Sequence, residues 1–514
     1  MEKVTGILTN IIYVFGMFLL AILLFTITVF RVNINFGIEG VNINYNNLTF
    51  YLLLIMGILV CLVAGTKGKG ITEKISEKTL FSIMAIAFTV AGLYIIFNTT
   101  MSLRNDQVYC FSGAKDFNRG DYRLLYTENY LGYYSHQLGF VTYERILCLF
   151  SENIMFFQLV NLLLEVLNNY LTYRITDMLF DHNTLINKFA IVLSFLFFPQ
   201  FFFIMYVYGN IPGFTCLMIS YYFGIKFLLG KGRLPWVNPL LWLLFSILTS
   251  LIRLNCMIGV IAFVIVAALE FLSRKKFSYG VLVILAAVFI FTVPSKVLNA
   301  CYERESGIEI SRGTPRILHT AMGMQEGYAG NGWYNGYNNN TYEDSGFDYE
   351  ASVKTGEEEI KRRLAVFAAD PAYAIDFYSD KFISTWADPT YQSINSAPAI
   401  TLENWDDKVR GELLNSIYSG GQAYSKIATV GNVINVIIVA GAFCFYVFVF
   451  RSKKEELRII LLLFMLYTIG GMLFHEFFWE TKARYVPTYV YILVPVAAAG
   501  IYRVCERIEA IQKK

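Results

Sequence analysis

Asp106 stands in the run Arg104-Asn105-Asp106-Gln107, about eight residues beyond an apolar stretch that ends near residue 98. A carboxylate held so close to a membrane surface can act as general base on an acceptor hydroxyl whose donor is anchored in the same membrane. From position alone, a solvated loop aspartate is the plainer reading. A second constellation, His475–Tyr485 (HEFFWETKARY), gathers Glu476, Glu480, Lys482, Arg484 and His475 directly after an apolar run. If this stretch is helical, Glu476, Glu480 and Arg484 fall on one face at i, i+4 and i+8, with Lys482 off it. It then reads either as a surface ion-pair ladder or as a phosphate site. In a phosphate site the planar Arg484 guanidinium binds two oxygens and the Lys482 ammonium adds a point charge. Arg253 is the third candidate, flanked by the apolar runs Leu240–Ile252 and Leu254–Phe271. A cation at a membrane boundary is a functional candidate by default, with a snorkelling anchor as its alternative.

Around these residues lie weaker candidates for substrate contact: Asn105, Gln107, Lys115, Asp116, His136, Gln137, His475, Glu476, Glu480 and Tyr485. Asp116 and Asp121 either support Asp106 or cap a helix, and capping is the plainer role. His136 beside Gln137 follows a tyrosine pair and can contact sugar hydroxyls or phosphate. No HxxxH or His/Asp spacing accompanies His136, His319 or His475, so isolated structural histidines are favoured over a metal site. Tyrosines and tryptophans near these positions suit stacking on sugar rings, and equally an interfacial aromatic belt.

Apolar spans must position these groups. The 514 residues are 56% hydrophobic and 16% charged, with a mean hydropathy of +0.49. Runs near the bilayer-spanning length of ~20 residues recur, which excludes a soluble protein. Candidate spans cover 8–30, 50–65, 79–98, 154–180, 189–207, 212–229, 237–252, 254–272, 279–294, 428–450, 458–474 and 486–503. With the N-terminus inside, every basic cluster on the connectors and at the tail falls on the cytoplasmic side. The residues concerned are Lys67, Lys69, Lys74, Lys78, Lys188, Lys231, Arg233, Arg274, Lys275, Lys276, Arg451, Lys453, Lys454, Lys513 and Lys514. That is the positive-inside pattern. The opposite side receives two long loops, roughly 99–150 and 295–427. In the first, Leu131–Phe150 mixes aromatic and polar residues as an interfacial helix does. In the second, Gly327–Asn340 (GYAGNGWYNGYNNN) reads as a structured loop, and Glu350–Asp380 has helical composition.

The net charge of +3 is small and its basic residues flank spans, so nucleic-acid binding has no support. Ile7–Phe30 is too long for a signal-peptide core and reads as a retained first helix. The eight cysteines show no CxxC spacing; Cys110 and Cys301 share a side, but unpaired thiols are the plainer reading. Glu165, with Asn161, Asn168 and Asn169, places polar groups inside the fourth span, for helix packing or a lipid groove.

Several short segments together resemble the GT-C superfamily of membrane glycosyltransferases. They are Asn105-Asp106-Gln107, Ala114-Lys115-Asp116-Phe117, Gly120-Asp121-Tyr122, Tyr134-Ser135-His136-Gln137-Leu138-Gly139, Tyr208-Gly209-Asn210-Ile211-Pro212-Gly213 and Ile252-Arg253-Leu254-Asn255. Thr314-Pro315, Met322-Gly323-Met324, Lys381 with Trp386-Ala387-Asp388-Pro389-Thr390, and Glu480-Thr481-Lys482-Ala483-Arg484-Tyr485 continue the series. The chain is most similar to protein-mannosyltransferase-like (glycosyltransferase family 39-like) members of Gram-positive bacteria, and the likeness covers most of it after residue 79. The apolar runs give an all-α polytopic fold of about twelve spans, with interfacial helices in the first outer loop, and the resemblance names the module they form. It divides the chain into an N-terminal hairpin (1–78), a transmembrane module (79–294) with a catalytic loop (99–150), an extracellular subdomain (295–427), and C-terminal spans with a cytoplasmic tail (428–514). It also implies sugar transfer from a polyprenyl-phosphate donor to a cell-envelope glycan or glycolipid acceptor. Asp106 is then the base, and Arg253, Lys482 and Arg484 bind the donor phosphate. Asn105 stands where a second acid is common in the family, which leaves a metal-binding pair incomplete, and no cofactor is required. Membrane lipids, a donor synthase and a flippase are the expected partners. A lipid-linked polysaccharide polymerase or ligase is the first alternative, and a transporter or flippase the second. Against the latter, no repeat is visible and the ionisable residues gather at one rim.

Overall fold

The computed structural model describes residues 2–35, 39–66, 74–100, 102–232, 234–396, 408–452 and 457–513. Lys67, Lys69, Arg233, Lys453, Lys454 and Lys514 lie outside the described residues. The chain is a predominantly α-helical, multi-pass membrane protein. Among the described residues, nine helices are long and apolar enough to cross a bilayer: Val4–Val29, Leu48–Gly65, Glu77–Asn98, Ile154–Leu179, Asn210–Leu228, Leu254–Ser273, Phe277–Ser306, Gln422–Arg451 and Pro487–Gln512. Three shorter apolar helices, Thr184–Leu196, Val237–Ile252 and Leu462–Phe478, fall where the remaining spans are expected.

Local chemistry explains where the helices depart from expectation. Instead of a single span over 189–207, Asn183 caps Thr184–Leu196 by accepting from Leu185 N and Ile186 N. Phe197 then leaves the helical region at ψ 85°, and Pro199 sits in the first turn of a new short helix, Phe198–Phe203. Proline has no N–H with which to extend the preceding ladder. Lys188 therefore lies buried inside Thr184–Leu196 and not on a connector. The helix Phe277–Ser306 runs through Pro294 and past the expected boundary at residue 294. Tyr337–Asp344 is helical, so the irregular stretch beginning at Gly327 ends at Gly336. Glu350–Asp380 divides into Tyr349–Ala369 and Pro371–Trp386 at a second helix-starting proline.

The largest exception to an all-helical chain joins the first two long helices. Strands β1 (Phe30–Ile34) and β2 (Val41–Tyr45) pair antiparallel, with Val32 opposite Ile43 and Ile34 opposite Val41. Val32 and Ile34 point into a small core with Ala329, Trp333, Ala387 and Ala483. The hairpin is further pinned by Val32 N donating to Ala387 O (2.8 Å) and Val41 N to Ala329 O (2.9 Å). The N-terminal hairpin is thus wedged against both the long segment after residue 306 and the stretch following Trp479. The two long loops are also joined to each other: Tyr133 Oη donates to Glu343 Oε1 (2.8 Å) and Tyr134 Oη to Asn339 Oδ1 (2.8 Å).

Lys381, on Pro371–Trp386, ties these pieces together. It is 1% exposed, and its Nζ donates to Gly323 O (2.7 Å), Glu476 O (2.8 Å) and Trp479 O (3.0 Å). Three ammonium protons meet three carbonyls, so the buried charge keeps a complete set of hydrogen bonds. Gly332 permits this approach: its φ is +69° and an added Cβ would lie 2.6 Å from Lys381 Cε. Gly332 O in turn accepts from Thr481 N (2.9 Å), which lays the stretch after Trp479 alongside Trp333. Lys381→Met removes all three donors, and each buried carbonyl left unpaired costs ~1–3 kcal/mol. Thermal unfolding of the purified variant is expected to register a loss of at least ~2 kcal/mol, and an unchanged transition would refute this role.

Candidate functional site

A cleft of about 1090 Å³ lies where the two long loops, the β1–β2 hairpin and the 474–485 stretch meet. It brings together Asn105, Asp106, Gln107, His136, Gln137, Arg253, Glu480, Lys482, Arg484 and Tyr485. Four expected contacts are not brought in. Lys115 and Asp116 follow Asp106 on the same helix, Asp106–Asn118, and nine residues at ~100° each turn Lys115 to the opposite face. Its ammonium packs over the Phe111 ring at 4.9 Å. Glu476 and His475 are buried off the cleft, His475 against the rings of Tyr485 and Tyr489.

Asp106 opens its helix at a sharp entry, with Asn105 at φ +47° and no side-chain cap. Its carboxylate is half-buried and, among the described residues, accepts no hydrogen bond. Tyr130, Tyr134, Tyr206, Tyr208, Tyr334 and Tyr485 all feel its charge, as do Lys482 and Arg484. It is therefore a free acceptor in a cleft walled by tyrosines and cations. Asp121 lies off this site, accepting from Arg123 N (3.1 Å) and pairing with its guanidinium in a local turn.

Arg253 occupies an extended break (φ −149°, ψ 109°) between Val237–Ile252 and the turn Leu254–Cys256. Its guanidinium carbon sits 4.9 Å from the centre of the Tyr208 ring and 6.0 Å from that of Tyr485. No carboxylate among the described residues pairs with it. Gly213 makes room for it, since an added Cβ would collide with Arg253 Cβ. The Tyr208–Gly213 motif therefore supplies both a ring for the cation and the space for its stem.

The 474–485 stretch is not a continuous helix, so the one-face spacing of Glu476, Glu480 and Arg484 that a helix would give does not arise. A π-helical turn, Phe474–Phe478, ends at extended Trp479, and Ala483–Tyr485 forms a 3₁₀ turn. This irregular path sends Glu480 and the two cations to separate partners instead of a surface ladder. Glu480 Oε2 meets His319 Nδ1 at 3.0 Å, and His319 stacks flat on Trp479 with 4.2 Å between ring centres. Burial would raise the Glu480 carboxyl pKa, but the His319 contact turns the shift downward. Lys482 Nζ meets Glu39 Oε2 at 2.6 Å and Arg484 Nη1 meets Glu39 Oε1 at 3.1 Å. The Arg484 backbone is held separately, its N–H donating to Gln392 Oε1 (3.2 Å) and its carbonyl accepting from Asn210 Nδ2 (3.3 Å). Gln392 is set by buried Asp388, which accepts from Thr390 N (3.0 Å) and Gln392 N (2.6 Å).

Glu39 and the His319–Glu480 pair escape the sequence reading, and Lys381 enters it only within a motif, without its role. For Glu39 a signal exists, because Val32 and Ile34 mirror Val41 and Ile43 around a glycine-bearing turn, which marks a hairpin. Part of the cleft wall is apolar. Leu254, Met257, Ile258 and Ile261, at i, i+3, i+4 and i+7, line it along a membrane-crossing helix, with Phe474 beside them. Among the described residues, no group of three or more His, Cys, Asp or Glu is arranged to hold a metal ion. All eight cysteines are free, Cys110 buried and Cys301 exposed. Compared with protein-family models, curated proteins and solved structures, the chain shows no match.

Burial would raise the Glu39 carboxyl pKa, but the charges of Arg484 and Lys482 bring it below its ordinary 4.5. A depressed carboxylate contributes stability that is present above about pH 4.5 and lost as pH falls through the lowered pKa. Glu39→Gln is therefore expected to lower the unfolding temperature at neutral pH and to flatten its decline on acidification. A decline as steep as that of the unaltered protein would contradict the ion-pair assignment.

Proposed function

We propose that this chain is a GT-C-type membrane glycosyltransferase that transfers one sugar from a polyprenyl-phosphate donor to a cell-envelope acceptor. The observation that carries the reading is the make-up of the cleft. It joins a carboxylate with free lone pairs to the cations Arg253, Lys482 and Arg484, and continues from Arg253 onto an apolar stripe of a membrane-crossing helix. An amphiphile with an anionic head fits that sequence of surfaces: phosphate on Arg253, Lys482 and Arg484, isoprene units along Leu254–Ile261.

In the reaction, Asp106 takes the proton of the acceptor hydroxyl as its oxygen attacks the anomeric carbon. The bond from that carbon to the phosphate oxygen breaks, and the electron pair leaves with the lipid phosphate. Negative charge grows on the phosphate in this step, and the fixed cations stabilise it where it grows. A single displacement inverts the anomeric centre. The cations supply the needed charge from the chain itself. Tyr130, Tyr134 and Tyr334, around Asp106, offer rings and hydroxyls to the acceptor.

The topology belongs to the same proposal. Twelve crossings, counting the three shorter apolar helices, with both termini cytoplasmic, put the cleft at the outer face. The described basic residues Lys74, Lys231, Arg274 and Lys275 then lie inside. A donor synthase and a flippase would supply the substrate on that face. Removing a general base typically costs 10²–10⁴-fold in rate. Asp106→Asn is therefore expected to cut transfer from a radiolabelled polyprenyl-phosphate sugar by at least ~100-fold, with protein abundance and donor binding unchanged. Transfer at the unaltered rate would eliminate Asp106 as the base.

A further inference from the structure

The two cations assigned to the donor phosphate already have an anion between them. Glu39 uses both carboxylate oxygens, one on Lys482 and one on Arg484. A carboxylate presents two oxygens in a plane much as a phosphate does, and both suit a paired ammonium and guanidinium. Two anions in the same place would repel, so phosphate and Glu39 compete for the pair.

The surroundings are built for exchange of the anion without movement of the cations. Arg484 is held through its backbone by Gln392 and Asn210, and Lys482 keeps the face of Tyr334 5.4 Å from its Nζ. Neither restraint involves Glu39. On the other side, β1 and β2 are fixed to Ala387 and Ala329 by backbone hydrogen bonds, so the strands stay in place while the Glu39 side chain swings. Glu39 itself has φ +53°, a left-handed backbone that a glutamate adopts at a cost. Here that backbone carries the carboxylate to the two cations.

We propose that Glu39 is a displaceable stand-in for the donor phosphate, yielding Lys482 and Arg484 when the lipid-linked phosphate enters and reclaiming them as the lipid phosphate leaves. This rests on the phosphate site assigned above. It makes Glu39 a determinant of donor affinity and of product release, supplied by the N-terminal hairpin and not by the catalytic loop. Competition of this kind lowers the affinity for any anionic lipid head and leaves a neutral polyprenol unaffected.

The test uses the full chain in nanodiscs and measures binding of undecaprenyl phosphate and of undecaprenol to unaltered protein, Glu39→Gln and Arg484→Gln. Glu39→Gln is expected to bind undecaprenyl phosphate about tenfold tighter, equivalent to about 1.4 kcal/mol, with undecaprenol unchanged. Arg484→Gln is expected to weaken undecaprenyl phosphate binding. If Glu39→Gln binds the phosphate no tighter while Arg484→Gln weakens it, the competition is refuted and the phosphate site survives. If Arg484→Gln leaves binding unchanged, the phosphate site itself is refuted. Should Glu39→Gln fail to fold, Glu39→Asp keeps the charge but cannot span both cations. It is expected to bind undecaprenyl phosphate tighter than the unaltered protein, and equal affinity would overturn the proposal.

Discussion

A buried ammonium organises the site. Lys381 is surrounded by protein, and a charge in such a place is tolerated only when its hydrogen bonds are complete. Its three carbonyl partners come from the end of Arg316–Met322, from the π-helical turn and from Trp479. Meeting that demand sets where the chain leaves the membrane-crossing part and begins its irregular path. Glu480, Lys482 and Arg484 follow within five residues, so their positions are inherited from the same constraint. Gly332 lets the lysine in and then accepts from Thr481 N, which carries the restraint into the stretch after Trp479.

From this node outward, the site is a set of preformed charges with little freedom. Asp388 shapes the turn that presents Gln392, Gln392 holds the Arg484 backbone, and Tyr208 and Tyr485 flank Arg253. Catalytic groups that develop or accept charge work best when such supports fix them in advance, because no energy is then spent on reorganisation during reaction. The exception is Glu39, whose side chain reaches the cations from the β1–β2 hairpin, anchored by its strands to Ala387 and Ala329.

What could be read from the sequence follows from the range of each signal. Apolar runs are local, so every expected span has an apolar helix near it. Arg253 and the Glu480–Arg484 group announce themselves as charges beside such runs. Asp106 is legible only with its short motif, since a lone loop acid carries no pattern. Contacts across the chain leave no local trace: Glu39 and Lys482 are 443 residues apart, and His319 and Glu480 are 161 apart. Nearness in sequence also misleads, as with Lys115, which helical rotation carries away from Asp106. His475 and Glu476 lie off the cleft for a related reason, because the π-helical turn buries them instead of setting them along a helical face.

The central claim is that the cleft takes a lipid-linked phosphate, with its head on Arg253, Lys482 and Arg484 and its chain on the apolar stripe. The most direct measurement is photo-crosslinking in nanodiscs with undecaprenyl phosphate bearing a diazirine in its first isoprene units, followed by peptide mapping. Adducts on Leu254, Met257, Ile258, Ile261 or Phe474 that excess unlabelled undecaprenyl phosphate suppresses are the expected result. Adducts confined to outward-facing helices such as Leu48–Gly65, undiminished by competitor, would contradict it.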